Sequence, residues 1–417
     1  MRLGRAAALE TDSERPRALI VRDTRESGPM LEAALASGMA AGGTDAFSGG
    51  VLPTPAASIL ARRLGFDLAA VVSASHNPYS DNGIKFFDHR GIKLDDRVEA
   101  RIEARMAGDG GAGARPGDGV GSVQDLDGAF DDYVRELRSA FLDLDLSGRT
   151  IALDCANGAT YRVAPAIFER LGARVEASGV DPDGRNINDG CGATAPQALA
   201  DRVASSDAEI GFAFDGDGDR LIAVDGNGRI HDGDELIALA ARHLRDRGEL
   251  DGGVAVTVMT NYGFHQALGA DGFEIAQTKV GDRYVIETLL ERDWKLGGEQ
   301  SGHIIWTDFT PTGDGIAAAL LALRALGDRR LEDVEPFERL PQRLENVRIS
   351  DRGAVEAAKA LWDAVDGENA KLEGRGRVLV RPSGTEPLLR VMVEAPTAEE
   401  CDQVCSRLVG VVGSELS

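Results

Sequence analysis

Short, largely apolar runs recur along the chain, at residues 18–21, 69–72, 150–153, 210–214 and 254–258, with helical patterns such as 29–41 and 235–244 between them. Runs of that length and apolarity read as buried strands. Strands that alternate with helices require mixed or parallel sheets with helices packed on their faces, so the chain is an α/β protein built from several such units. At 417 residues it is long enough for two to four domains, each with its own core.

Three boundaries can be read along the chain. Residues 107–121 are Gly-rich and aperiodic, with nothing to bury, and read as a mobile surface loop. A helical pattern over 126–142 and a break at 143–148 put the first boundary near 142, and the second falls near Asp232 to Asp234. The last segment differs in kind: two strand-like runs, 377–381 and 388–394, precede a helix opened by Thr397 with Glu400 three residues on, a capping box. Its expected apolar stripe is Cys401, Val404, Cys405, Leu408 and Val411, which makes both cysteines core residues. The expected domains are therefore 1–142, 143–232, 233–340 and a smaller α+β domain at 341–417.

With 69 acidic against 46 basic residues and a formal charge of −23, the chain repels nucleic acid and anionic lipid, so neither nucleic acid nor membrane is an expected partner. Any phosphate ligand must meet a local cationic pocket. Lysine occurs only at positions 85, 93, 279, 295, 359 and 371, leaving most of the positive charge to arginine. The cysteines, 155, 191, 401 and 405, form neither a C-x-x-C pair nor a zinc-spaced cluster, which suits a reduced, cytoplasmic compartment. No secretory leader is read at the start, where Glu10 and Asp12 precede any apolar stretch, and no apolar run is long enough to span a membrane.

Four motifs carry chemistry. Asp215-Gly216-Asp217-Gly218-Asp219-Arg220 follows the apolar run 210–214. Three carboxylates at alternate positions repel one another unless a hard cation sits among them, and Mg²⁺ is the natural guest. A calcium EF-hand is excluded, because its sixth position would be Arg220 and its twelfth Gly226. Plain turn chemistry and a dehalogenase-type aspartyl nucleophile stay open, although Asp219 stands where that nucleophile motif expects Thr or Val. The second motif, Ser73-Ala74-Ser75-His76-Asn77-Pro78, follows the run 69–72 and leads to Lys85. It exposes a hydroxyl at a strand end, in a loop whose Asn-Pro resists helix formation; an ordinary loop serine is the alternative. The third, Gly297-Gly298-Glu299-Gln300-Ser301-Gly302-His303, offers the carboxylate and hydroxyl groups that sugar hydroxyls need, or is simply a loop. In the fourth, Arg381-Pro382-Ser383-Gly384-Thr385-Glu386-Pro387 followed by Arg390, a Ser-Gly-Thr turn and arginine forks suit a phosphate.

In this order the four motifs resemble the α-D-phosphohexomutase family: a serine loop, a metal loop, a sugar loop and a phosphate loop. The resemblance runs from Asp23-Thr24-Arg25 to the C-terminal helix. Finer wording is similar to the family's bacterial phosphoglucosamine mutase branch: residues 155–160 (CANGAT), Asn186 and Asn188 with Cys191-Gly192, Lys279 to Arg283, Gln300, and Thr312 to Gly315.

That resemblance implies three mixed α/β domains plus a smaller α+β C-terminal domain around a central active-site cleft. It implies interconversion of glucosamine 6-phosphate and glucosamine 1-phosphate through a phosphoserine enzyme and a bisphosphate intermediate. Ser75 would carry the phosphate, and Asp215, Asp217 and Asp219 would hold Mg²⁺ with it. Lys85 and Arg220 would flank the phosphoserine. Glu299 and Ser301 would grip sugar hydroxyls with His303 nearby, while Arg381, Ser383, Gly384, Thr385 and Arg390 would hold the unreacting phosphate. A closing C-terminal domain would keep water out. Glucose or mannose phosphates, an aspartyl phosphatase and an inactive phosphosugar-binding relative are the alternatives, and a homodimer is left open. One departure stands out. Residues 1–7 match the helix after the family's opening strand and F-G-T-D-G-I-R-G loop. The resemblance thus implies a missing N-terminal strand, either through a misassigned start or with an open, pairing-prone sheet edge and weakened catalysis.

Overall fold

The computed structural model describes residues 1–11, 13–107, 117–351, 353–382 and 387–416. Its strands form four sheets. The first contains β1 (Arg17–Arg22), β2 (Asp45–Val51), β3 (Leu68–Val72), β4 (Ile84–Asp88) and β5 (Val123–Asp125), in the order β4-β3-β1-β2-β5. The second contains β6 (Thr150–Asp154), β7 (Arg174–Ser178), β8 (Ile210–Phe214), β9 (Leu221–Asp225) and β10 (Ile230–His231), ordered β10-β9-β8-β6-β7. The third contains β11 (Val254–Thr257), β12 (Ile275–Thr278), β13 (Leu296–Gly298) and β14 (Ile304–Trp306), ordered β12-β11-β13-β14. The fourth, β15 (Gln342–Arg348), β16 (Arg377–Pro382) and β17 (Leu388–Glu394), is antiparallel with β17 central.

The first three sheets share one construction. Each runs strand, helix, strand, helix, strand and then a short hairpin to a fourth strand: β1 to β4, β6 to β9 and β11 to β14 all place these strands in the spatial order second, first, third, fourth. In each the first and third strands pair in parallel and the fourth is antiparallel to the third. Strands β3 and β8 are buried along their whole length, as expected of strands covered on both faces. The loop from third to fourth strand therefore projects from the same end of every unit, and its three versions are residues 73–83, 215–220 and 299–303.

Local chemistry explains the flanking helices. Helix Gly233–Asp246 is capped by Asp232, whose carboxylate accepts from the amides of Asp234 and Glu235. Helix Gly315–Leu326 is apolar almost all round and buried accordingly. Helix Thr54–Leu64 starts after Pro53 and stops at Gly65, which takes the left-handed conformation at φ +68°. Helix Ala398–Glu415 has the expected cap, Glu400 N–H donating to Thr397 Oγ1 at 3.1 Å. Its stripe buries Cys401, Val404, Cys405 and Leu408 but ends on Val412 rather than Val411, which is half-buried and packs at the margin of the core. The step from 408 to 412 keeps the stripe on one face where 411 begins to turn away.

The expected helix at 126–142 is Ala129–Ala140, shortened by Gly128 at φ +80° and by a turn at Phe141. Of the loop expected at 107–121, residues 108–116 lie outside the described residues, and Gly117–Gly119 forms one 3₁₀ turn. All four cysteines are free thiols. Among the described residues, no helix is long and apolar enough to cross a membrane. Residues 1–259 and 276–335, with the first three sheets, group as one compact unit; residues 260–275 and 336–417, with the fourth, group as another.

Candidate active site

Within the first unit the three equivalent loops converge. The serine loop brings Ser75 to the metal loop, where its Oγ donates to Asp215 Oδ2 at 2.6 Å. Asp215, Asp217 and Asp219 are all buried and each offers a carboxylate oxygen within 4.8 Å of the others'. Oδ1 of Asp217 and Oδ1 of Asp219 are buried with no hydrogen-bond partner. Three inward carboxylates, two of them with an orphaned oxygen, form a set of hard oxygen ligands, so this triad could bind a metal cation.

The surrounding charges fit that reading. Burial, followed by the charges of Asp219 and Asp217, pushes the Asp215 carboxyl well above the ordinary carboxylate range. Asp219 is buried as deeply, yet Lys85 and His303 outweigh the burial and hold it well below that range. Lys85 lies on β4; its Nζ donates to Asp217 Oδ2 at 2.7 Å and reaches Asp219 Oδ2 at 3.5 Å. Burial disfavours its charged form, but Asp217 and Asp219 prevail and keep the ammonium protonated. Arg220 Nε stands 3.9 Å from Asp219 Oδ1, and Nε itself is buried without a hydrogen bond.

The sugar loop contributes His303, whose Nδ1 lies 3.7 Å from Asp219 Oδ2. The Gly313 amide donates to its Nε2 at 3.0 Å, which leaves the ring proton on Nδ1 facing the carboxylate. Glu299 accepts from the Gly281 amide at 2.9 Å, and Ser301 is exposed on the same loop. The side chain of Gln300 turns away to Asp232 Oδ2 at 3.1 Å. A cavity of about 720 Å³ between the 88–98 segment and helix Asp282–Arg292 has His303 in its wall, the one expected site residue among the described residues that lines it.

In the second unit, Arg381 and Arg390 face each other across β16 and β17. Burial, then Arg390, lowers the pKa of Arg381, and Arg390 Nε is buried without a hydrogen-bond partner. Ser383, Gly384 and Thr385, expected to bind phosphate beside them, lie outside the described residues.

Several contributors escaped the sequence reading. Thr54 donates from Oγ1 to Asp217 Oδ2 at 2.6 Å and from its amide to the Asp217 carbonyl at 2.8 Å. Its only sequence signal is a Thr-Pro at a helix start. Gly216 is required because a Cβ there would meet the Ser75 carbonyl oxygen at 2.5 Å. Asp23, Arg25 and Asn188 surround the serine loop, although they had entered only as wording of a resemblance.

Comparison with known proteins places the chain in a family. The chain matches the phosphoglucomutase/phosphomannomutase alpha/beta/alpha domains I, II and III over residues 1–110, 131–228 and 232–343, and the C-terminal domain of the same group over 344–411. It is 51% identical to the phosphoglucosamine mutase of Desulforudis audaxviator, covering 99% of this chain and 93% of that protein. It is 45% identical to the phosphoglucosamine mutase of Bacillus subtilis, covering 98% and 92%. A crystal structure of a phosphoglucomutase/phosphomannomutase family protein from Burkholderia thailandensis superposes with a TM-score of 0.83 at 26% identity, over 99% of this chain and 93% of the other. The fold is shared with Aspergillus fumigatus N-acetylphosphoglucosamine mutase, solved with GlcNAc-6P and magnesium, at a TM-score of 0.65 and 20% identity over 87% and 93% of the two chains.

Proposed function

Because this chain belongs to the phosphoglucomutase/phosphomannomutase family, we propose that it is a phosphoglucosamine mutase, interconverting glucosamine 6-phosphate and glucosamine 1-phosphate with Ser75 as the phosphate carrier. The observation that carries this reading is the 2.6 Å contact from Ser75 Oγ to Asp215, at the edge of three buried carboxylates. Phosphoryl transfer needs positioning and charge neutralisation more than covalent help. Mg²⁺ is the cation proposed for Asp215, Asp217 and Asp219, with the Ser75 oxygen as a further ligand; when bound it supplies charge neutralisation for the transferring phosphoryl group.

The chain's own residues do the rest. Lys85 and Arg220 place fixed positive charge beside Ser75. Glu299 and Ser301 orient sugar hydroxyls, and His303, on the same loop, faces Asp219. Arg381 and Arg390, with Ser383, Gly384 and Thr385, are the residues proposed to bind the phosphate that does not react. Ser75 gives its phosphate to one end of the substrate, and the bisphosphate turns over and returns its other phosphate to Ser75. The hydrogen bond from Ser75 Oγ to Asp215 Oδ2 aligns the serine with the carboxylate cluster, which supports the serine as the group that carries the phosphate.

The test is a coupled assay with glucosamine 6-phosphate, Mg²⁺ and a trace of glucose 1,6-bisphosphate, run beside glucose and mannose 6-phosphates. Turnover preferring the amino sugar, with phosphate on Ser75 by intact mass, is expected. Full activity in Ser75→Ala, or preference for a neutral hexose phosphate, would overturn the proposal.

A further inference from the structure

Among the described residues, Ser75 is one of five non-glycine residues with positive φ, at +50°. That conformation costs a non-glycine residue about 1 kcal/mol or more and persists only where the surroundings impose it. Here two side chains, from loops that follow strands of different sheets, impose it at the same atoms. Arg25, from the loop after β1, is wholly buried, with Nε on Asp23 Oδ2 at 2.7 Å. Its Nη2 donates to the carbonyls of Ser75 at 2.9 Å and Asn77 at 2.8 Å; its Nη1 donates to the carbonyls of Asp81 at 3.0 Å and of Pro78. Asn188, from the loop after β7, donates its side-chain amide to the same Ser75 and Asn77 carbonyls, at 2.9 and 3.2 Å.

The grip extends to the other side of the serine. The Ser75 amide donates to Ser73 Oγ at 3.0 Å, and that hydroxyl donates to Asp23 Oδ2 at 2.6 Å. Asn188 is itself left-handed, at φ +59°, with its amide on the Ala156 carbonyl at 2.9 Å. The Ser75 carbonyl lies so close to Gly216 that no side chain fits between them.

A phosphate on Ser75 would add about two negative charges beside three carboxylates, which push the loop outward unless its backbone is held. We infer that Arg25 and Asn188 are positioning residues that clamp the Ser75 backbone against the aspartate cluster, so that serine and phosphoserine keep one register with it. This inference rests on Ser75 being the phosphate carrier.

The decisive variant is Asn188→Gly, which accepts positive φ freely and removes only the amide; Arg25→Lys, which keeps the charge but not the fork, accompanies it. After charging with glucose 1,6-bisphosphate, kcat in Asn188→Gly is expected to fall about 10- to 100-fold, because small misplacements of reacting groups cost that much. KM should change less than about threefold, since substrate contacts are untouched. Phosphate on Ser75, followed by intact mass, should be lost faster than in the unmodified protein. Asn188→Gly with unchanged kcat and phosphoserine lifetime overturns the clamp, whatever its melting temperature and whether or not Arg25→Lys folds. If the unmodified protein neither carries phosphate on Ser75 nor turns over a sugar phosphate, the proposed function fails and the clamp falls with it.

Discussion

Thr54 and Asp217 meet twice, through a side-chain hydrogen bond of 2.6 Å and a backbone bond of 2.8 Å, so one residue sets both the position and the rotation of a candidate metal ligand. Groups that orient a ligand this way are worth about 10- to 100-fold in metal affinity. Thr54→Val keeps the shape and the backbone bond and removes the hydroxyl; Mn²⁺ titration by calorimetry should show a loss in that range, and unchanged affinity would dismiss the role. Gly216→Ala tests the neighbouring contact, since its Cβ would sit 2.5 Å from the Ser75 carbonyl oxygen and 2.7 Å from Asn188 Nδ2. Overpacking of this kind costs about 1–3 kcal/mol, so a lower melting temperature with a kcat at least about tenfold down is expected, measured by thermal shift and the coupled assay. The alternating aspartates were legible because repelling carboxylates announce a cation, whereas a threonine at a helix start looks the same whether or not it orients a ligand.

At the level of single elements, helix Gly315–Leu326 begins on a carboxyl with an unusual environment. Asp314 accepts from the Ala317 amide at 2.9 Å and from the Tyr133 hydroxyl at 2.8 Å, yet burial outweighs both and raises its pKa from 3.8 to about 6. A pKa raised in the folded state means that the folded chain holds this proton more tightly than the unfolded one. The stability it contributes is full below pH 3.8 and is lost as pH rises through about 6. Asp314→Asn keeps the cap oxygen and cannot titrate. Its stability relative to the parent should therefore climb between pH 4 and 6 by up to about 3 kcal/mol, since one pKa unit is about 1.4 kcal/mol; denaturation at several pH values checks this, and a flat difference would refute it. Elements were readable where caps and buried runs coincide, as at Thr397 and β8. They were blurred where length decides: β5 and β10 have three and two residues, too few for any period to show.

Across the whole chain, the threefold construction of the first sheets was invisible as a sequence repeat. What recurs is the order of buried strands and crossovers, which many apolar residues satisfy equally well, while the loop from third to fourth strand, where the candidate site residues lie, carries Ser-His-Asn, Asp-Gly-Asp or Glu-Gln-Ser in turn. The second unit has its own unresolved charge. Arg381 and Arg390 are cross-strand partners, and like charges directly opposite on a sheet are destabilising by a few tenths of a kcal/mol to about 1 kcal/mol. No acidic side chain among the described residues is paired with either. An anion bridging the two guanidinium groups would convert that repulsion into binding, and at ten times its dissociation constant would add about 1.4 kcal/mol of stability. Calorimetric scans should therefore show inorganic phosphate raising the melting transition of the second unit in the parent protein. Arg390→Gln should melt slightly higher without phosphate and gain nothing from it, because the substitution relieves the repulsion and removes half the site. A parent transition indifferent to phosphate, or an Arg390→Gln variant that still responds in full, would mean that the facing arginines are not an anion site.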